Sequence, residues 1–584
     1  RSRFHPDRKK PALALTLHQL RTPQFRESRR HQLEKCRSQQ GSHHRSQTTD
    51  LRPFPRFQEP EACRRRIDVS SFSSLQFHPK SALCNLETGV HLCRAVTALK
   101  PSFDDFSKLA KSGNLIPVWT ELAADYETPV SAFQKLNDGT TPCFLLESAE
   151  SSDQIGRYSF LGTDPRMIVR AHGREKEDGD PLHEVERHMA KFKPVEVEGL
   201  PVFAGGAVGF LGYDMVEFFE STVPQTKPDP LGLPDMVFMI TDTIVIFDHR
   251  FRKIQVVSNI FRDDHETAEA GYEAARQRIE ATVAKLAKPL SFAPFSLMTE
   301  PNVPEPQSNT TKEEYEAMVD KAKEYILAGD IFQVVPSQRF EADYGGAPID
   351  LYRALRHVNP SPYMFCVQFG DEFSLVGSSP EVHVRAIDGK IEIRPIAGTR
   401  WRGKTPEEDE ALAQDLLSDP KECAEHLMLV DLARNDVGRV AEYTTVAVKD
   451  FQRIERYSHV MHIVTDVEGQ LRPEHSAYDV MRATFPAGTV SGSPKVRAMQ
   501  IIDEMEKDKR CAYSGAVGYF GFDGNHDSCI ALRTVVLKDK KAYVQAGAGV
   551  VADSVPENEY NETVNKARGM MRAIAQARIL AGEA

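Results

Sequence analysis

One pattern occurs twice in this chain, as Gly206-Ala-Val-Gly-Phe-Leu-Gly-Tyr-Asp214 and as Gly515-Ala-Val-Gly-Tyr-Phe-Gly-Phe-Asp523. In both copies small residues alternate with aromatic and aliphatic ones. Glycine is a poor helix former, and inside a strand it marks a place where another backbone comes close. The two stretches therefore suit strands packed tightly against their neighbours, and two sheets facing each other would use such strands. Copies so far apart do not form the short period of a solenoid.

Four regions can be read along the chain. Residues 1–102 are polar and basic. The first 100 residues hold 20 Lys+Arg against 8 Asp+Glu, whereas the whole chain holds 73 against 84. No apolar period persists there, so a disordered extension is expected. An Arg- and Ser-rich, acid-poor composition also fits a plastid transit peptide. Region 103–287 mixes strands and helices. Asn114-Leu-Ile-Pro-Val-Trp-Thr and Phe144-Leu-Leu-Glu-Ser148 read as strands, Val237 to Phe247 and Lys253 to Asn259 as a strand pair, and His265 to Ala287 as a long helix. Region 288–310 is a linker with prolines at 289, 294, 301, 304 and 306. In region 311–584, Thr311 and Glu314 have capping-box spacing. Tyr315, Met318, Val319, Ala322 and Ile326 form one apolar stripe, and Gly329 closes that helix.

Composition excludes several classes. The acidic body disfavours nonspecific nucleic-acid binding. No run approaches the ~18 apolar residues of a membrane span, and Met236 to Phe247 is interrupted by Thr241, Asp242 and Thr243. Nine scattered cysteines with no Cys-x-x-Cys pair give no zinc site and suggest reduced thiols.

Two helix starts carry paired acids. Asp419 is a good N-cap with Pro420 behind it, and Glu422 and Glu425 share one face. The run Leu427 to Leu432 suggests that this helix is buried. Pro556 opens a second helix in which Glu559 and Glu562 repeat the spacing. Together the two pairs suit one hard divalent ion, while acids in a first turn also serve the helix dipole. Gly547-Ala-Gly549-Val-Val-Ala552 resembles a dinucleotide fingerprint, but Asp553, Ser554 and Pro556 intervene before the helix. An exposed glycine turn able to approach an anion remains. His462, in an alternating strand with His459, is either a proton donor or a satisfied core histidine. Arg533, inside the apolar run Cys529 to Leu537, needs an anionic partner from the protein or a ligand.

These stretches, with Leu145-Leu-Glu-Ser148, Asp330-Ile-Phe-Gln-Val-Val-Pro-Ser-Gln, Pro360-Ser-Pro-Tyr-Met364, Pro395-Ile-Ala-Gly-Thr-Arg400 and Gly488-Thr-Val-Ser-Gly-Ser-Pro-Lys495, resemble the anthranilate synthase component I family of chorismate-utilising enzymes. The resemblance spans about Phe103 to Leu580. It implies an α+β fold of two facing antiparallel β-sheets flanked by helices. It implies Mg²⁺ held by Glu425 and Glu562, with Glu422 and Glu559 as water-mediated companions. Gly398, Thr399, Tyr513, Arg533, Gly547 and Gly549 would bind chorismate. Thr489 would line the ring site, and His462 would assist departure of the substrate hydroxyl. Glu147, Ser148, Pro362, Tyr363 and Met364 would form a pocket for tryptophan as feedback inhibitor.

Two positions narrow the chemistry that the resemblance implies. Water-adding relatives carry a lysine at the Gln333 position, and 4-amino relatives carry one at Ala397; this chain has neither. Amination at C2 to anthranilate is therefore expected over isochorismate, salicylate or 4-amino-4-deoxychorismate formation, and over a noncatalytic tryptophan-sensing or nucleic-acid-binding protein. No Gly-x-Cys-x-Gly nucleophile elbow is present among the body cysteines, so ammonia would come from a separate glutamine amidotransferase subunit in a hetero-oligomer. A cytoplasmic enzyme is expected, or a stromal one if the extension is a transit peptide.

Overall fold

The computed structural model describes residues 98–582 apart from 149–155, 174–178, 225, 293, 295–299, 304 and 458–459. The basic extension up to residue 97 and His459 lie outside the described residues. The two glycine-rich copies are adjacent strands. Gly206–Leu211 pairs antiparallel with Ala516–Gly521, and Gly209 stands opposite Gly518. The close backbone approach expected of them occurs within one sheet. A Cβ on Gly518 would stand 2.2 Å from the Asp527 carbonyl oxygen, and one on Gly209 would stand 1.9 Å from that of Val237. Gly518→Val is expected to cost about 3 kcal/mol, since the added atoms meet backbone that cannot yield. A denaturant midpoint unchanged from wild type would refute that.

These strands lie in a ten-stranded sheet that runs Ile396–Trp401, Val460–Gln470, Lys390–Ile393, Val382–Ile387, His526–Ile530, Ala516–Gly521, Gly206–Leu211, Met236–Thr241 and Met167–Ala171, with Ala447–Arg456 also pairing with Val460–Gln470. An eleven-stranded sheet faces it. Its central strands are Thr243–Asp248, Tyr158–Thr163, Cys143–Glu147, Tyr363–Gln368, Ser374–Ser379, Thr534–Lys538 and Lys541–Gly547. The strand pairings are antiparallel, and both sheets draw strands from either side of the Pro-rich linker.

Strand alternation sorts the core into layers. Val208, Phe210, Val517 and Tyr519 meet Phe144, Ile246, Phe365 and Val536 of the facing sheet. Ala207, Ala516 and Phe520 turn the other way, onto helices that include Lys312–Ala328, Pro420–Gly438 and Lys495–Met505. The eleven-stranded sheet is covered on its outer face by Ala268–Leu286, Pro348–Val358 and Pro556–Ala581 among others. Each large side chain buried between the sheets contributes about 1.5–3 kcal/mol. The result is the expected α+β arrangement of two facing sheets with helices outside.

Local signals match where chemistry is local. Thr311 and Glu314 form the capping box, and Gly329 ends the helix at φ 85°. Asp419 caps its helix by accepting from the backbone N–H of Lys421 and Glu422. Three expectations are corrected. The apolar stretch 237–247 is two strands, because the chain leaves one sheet after Thr241 and enters the other at Thr243, with Asp242 at the corner held by Arg278 at 3.0 Å. The helix after Pro420 is buried on one face only, and Leu427 is 49% exposed. Arg533 is not inside a strand: it is the turn residue, φ 47°, between His526–Ile530 of one sheet and Thr534–Lys538 of the other.

Candidate functional site

The site forms where two neighbouring strands change sheets side by side. Ser374–Ser379 belongs to the larger sheet and Val382–Ile387 to the smaller, so Pro380 and Glu381 make one crossing; Ala531 to Arg533 make the other. The crossings are tied together: the Ile530 N–H donates to the Glu381 carbonyl at 3.1 Å, and Ser379 Oγ donates to the Ile530 carbonyl at 2.6 Å. Sheet crossings break the ladder and leave a gap, and a cavity of about 250 Å³ opens there.

Most of the expected residues line this one cavity: Gly398, Thr399, Glu425, His462, Thr489, Tyr513, Arg533, Gly547, Gly549 and Glu562. Gly398 has φ 68°, a left-handed conformation that admits glycine without strain. No helix opens at Gly547 and Gly549, which continue from strand Lys541–Gly547 into a loop. Glu422 and Glu559 sit on the same helix ends but do not line the cavity.

Two charged residues that sequence reasoning did not select complete the wall. Glu381 is 6% exposed and accepts a 2.7 Å hydrogen bond from Thr489 Oγ1. Burial pushes its carboxyl up to about 7, against the opposing pull of the Thr489 bond, Arg533 and Lys566. Lys566 bonds the Gly547 carbonyl at 2.9 Å and pairs with Glu562 at 2.8 Å. A buried glutamate after Ser-Pro looks like any surface glutamate in sequence; Lys566, four residues after Glu562, offered only helix spacing as a signal.

His462 stands in the cavity wall with its ring held by the backbone at Gly398. Burial lowers its pKa, and Nδ1 donates to the Gly398 carbonyl at 2.8 Å. With Nδ1 so engaged, Nε2 is the ring nitrogen that remains for a ligand. Arg533 is buried, which pulls its pKa down, with Glu381 opposing.

The four glutamates come from two helix starts, and Glu425 and Glu562 line the one cavity. Among the described residues no three His, Cys, Asp or Glu side chains stand close enough to hold a metal ion. Three of the four carboxylates have another partner: Gln333 Nε2 donates to Glu425 at 2.9 Å, Lys566 pairs with Glu562, and Arg400 lies 3.5 Å from Glu422. The donors nonetheless fit a hard cation. Burial and then the Glu425 charge push Glu422 up; burial raises Glu559, with Glu562 adding to the rise. Like charges that raise one another are what a divalent ion relieves.

A second cavity of about 300 Å³ lies between the sheets, lined by Glu147, Ser148, Pro362, Tyr363 and Met364 with Arg385 and Asp527. Arg385 donates to Tyr363 Oη at 2.7 Å, and that hydroxyl donates to Asp527 at 2.8 Å. Glu147 and Met364 turn their side chains to the helix layer: Tyr352 Oη donates to Glu147 at 2.5 Å, and Met364 packs in the helix-side core. Alternation along each strand requires this once Leu146, Tyr363 and Phe365 face the other sheet.

A family described as chorismate binding enzyme matches residues 141–572. Anthranilate synthase component 1 of Aquifex aeolicus (strain VF5) is 51% identical over 487 residues, covering 82% of this chain and 98% of that one. Its counterpart from Pseudomonas putida is 48% identical, covering 81% and 98%. The crystal structure of anthranilate synthase component I from Streptococcus pneumoniae TIGR4 superposes with a TM-score of 0.63 at 40% identity, covering 72% of this chain and 93% of that one. The menaquinone-specific isochorismate synthase from Escherichia coli shares the fold, with a TM-score of 0.61 at 18% identity. With its two facing sheets, its cavity at the paired crossings and its matching length, the chain belongs to the chorismate-binding enzyme family, among the anthranilate synthase component 1 proteins.

Proposed function

We propose that this chain converts chorismate and ammonia to anthranilate and pyruvate, the entry to tryptophan synthesis, as the catalytic subunit of a complex with a separate glutamine amidotransferase. The observation that carries this reading is one cavity that combines a buried arginine, a lysine, a buried glutamate and carboxylates from two helix starts. Arg533 and Lys566 suit the two carboxylates of chorismate. Tyr513 and the backbone at Gly547 and Gly549 limit where the ring can lie.

Glu381 carries a proton near neutral pH and gives it to the C4 hydroxyl, which leaves as water while ammonia adds at C2 and then sheds a proton. His462 Nε2 accepts a hydrogen bond within the cavity. Loss of the C2 proton with the enolpyruvyl group then yields the aromatic ring and pyruvate. Glu425 and Glu562, with Glu422 and Glu559 behind them, would hold Mg²⁺. That ion, when bound, supplies Lewis-acid polarisation of a substrate carboxylate. Gln333 and Ala397 offer no amine nucleophile or base, so the attacking nitrogen comes from solution or the partner.

The same reading assigns the cavity lined by Ser148, Pro362 and Tyr363 to tryptophan as inhibitor. Region 103–287 supplies Ser148 of that cavity, and region 311–584 supplies Pro362, Tyr363 and the chorismate cavity. Five free cysteines among the described residues favour a reducing compartment, cytoplasmic or stromal. No helix of the described residues is long and apolar enough to cross a membrane.

The test is direct. Chorismate, Mg²⁺ and ammonium should give blue-fluorescent anthranilate, and glutamine should replace ammonium only after the amidotransferase subunit is added. Isochorismate or 4-amino-4-deoxychorismate as the product would overturn the proposal.

A further inference from the structure

We propose that Arg510 is a positioning residue for the chorismate cavity, acting through two backbone carbonyls of its wall. The inference rests on the reading that this cavity takes chorismate. Arg510 lies behind the cavity and does not line it. Its side chain is 1% exposed and pairs with Glu506, itself 6% exposed, at 2.5 Å.

A guanidinium has five N–H donors in a fixed fork, and here each direction is used. Nε donates to Glu506 at 3.0 Å, and Nη2 donates to Glu506 and to the Val335 carbonyl at 2.6 Å. Nη1 donates to the Val490 carbonyl at 2.8 Å and to Ser514 Oγ at 3.3 Å. The rings of Tyr213 and Tyr513 lie 4.8 and 5.5 Å from its central carbon. Val335, Val490 and Tyr513 line the cavity. Val490 follows Thr489, the residue bonded to Glu381, and Val335 follows the segment that carries Gln333.

Glu506 extends the same frame. Its Oε1 accepts from the N–H and from the hydroxyl of Ser337, each at 2.8 Å, and Ser337 Oγ accepts from Gln545 Nε2 at 2.8 Å. Gln545 also lines the cavity. A buried ion pair is weak evidence of stabilisation, because an apolar pair of similar volume often does as well. An apolar pair would leave the Val335 and Val490 carbonyls without these donors. Lysine keeps the charge but lacks the planar fork. What the pair supplies here is the relative placement of three separate chain segments around the substrate.

The test compares Arg510→Lys and Ser337→Ala with wild type in steady-state turnover of chorismate and ammonium. Arg510→Lys should lower kcat/KM for chorismate at least tenfold, mainly through KM. The Mg²⁺ concentration for half-maximal rate at saturating chorismate should stay within twofold, because neither glutamate-bearing helix bonds to Arg510. General loosening of the fold would shift both constants, and a parallel shift overturns the proposal. Ser337→Ala removes one hydroxyl and leaves no charge unpaired, so it decides the matter if the lysine variant does not fold. A loss in kcat/KM above twofold supports the proposal, and a smaller one overturns it. A wild-type protein inert toward chorismate would overturn the functional reading itself, which the wild-type assay reveals before any variant is made.

Discussion

Glu381→Gln is expected to lower kcat by about 10²–10⁴-fold, the range typical of a lost general acid, with chorismate KM changed only a few fold. Glutamine keeps the volume and can still accept from Thr489 Oγ1, so the cavity retains its shape. What it loses is a proton to give. Burial holds the Glu381 carboxyl at about 7, up from 4.5, so the acid form dominates below neutrality. Wild-type kcat should therefore fall as pH rises through about 7, and the variant should lack that limb. The same shift sets a stability window. A carboxyl raised on folding favours the native state at low pH, and that contribution is lost as pH rises from about 4.5 through about 7. Asp214, also buried and raised to about 7, contributes in the same window. The difference between wild type and variant isolates Glu381. Turnover within tenfold of wild type would remove Glu381 from the proton step.

How far the site could be read in advance depended on whether a residue's role is local. The capping box at Thr311, the N-cap at Asp419 and the closing Gly329 depend on a few neighbouring residues, and each is found where the spacing places it. The doubled glycine pattern announced tight strand packing but not that its two copies would lie side by side, because pairing across the chain leaves no local trace. The sheet crossings at Asp242, Glu381 and Arg533 were hidden for a related reason. An apolar run reads the same whether it continues in one sheet or turns into another, so Arg533 looked like a strand residue. Glu381 was missed because burial, not residue type, raises its carboxyl to about 7. His462 was found by pattern, but which ring nitrogen donates follows from the Gly398 carbonyl, a partner 64 positions away. Glu147 belongs to a recognisable motif, yet strand alternation turns its carboxylate to Tyr352 rather than into the cavity.

Glu425→Gln should abolish Mg²⁺-dependent turnover, by at least about 10³-fold, because removing a hard anionic ligand forfeits several kcal/mol of charge stabilisation. The fold should persist: Gln333 already donates to Glu425 Oε1, and the side-chain carbonyl of a glutamine can accept the same bond. Glu422→Gln makes the informative contrast. Glu422 does not line the cavity, and its carboxylate stands near Arg400, so its loss should act through water and orientation and cost about 10–100-fold, as remote supports of a metal do. Mg²⁺ binding measured by calorimetry in the presence of chorismate separates the two variants, with heat lost in the first and weakened affinity in the second. Burial first, and then the neighbouring glutamate charge, raises both Glu422 and Glu559, a cost that a divalent ion would relieve. A divalent ion would draw on the carboxylates that here bond Gln333 and Lys566. Freeing Lys566 from Glu562 would at the same time release a positive charge beside Gly547, where a chorismate carboxylate can take it. Mg²⁺ and substrate should therefore bind with positive coupling. Equal Mg²⁺ affinity with and without chorismate would break that link, and unchanged turnover in Glu425→Gln would remove this glutamate from the metal site.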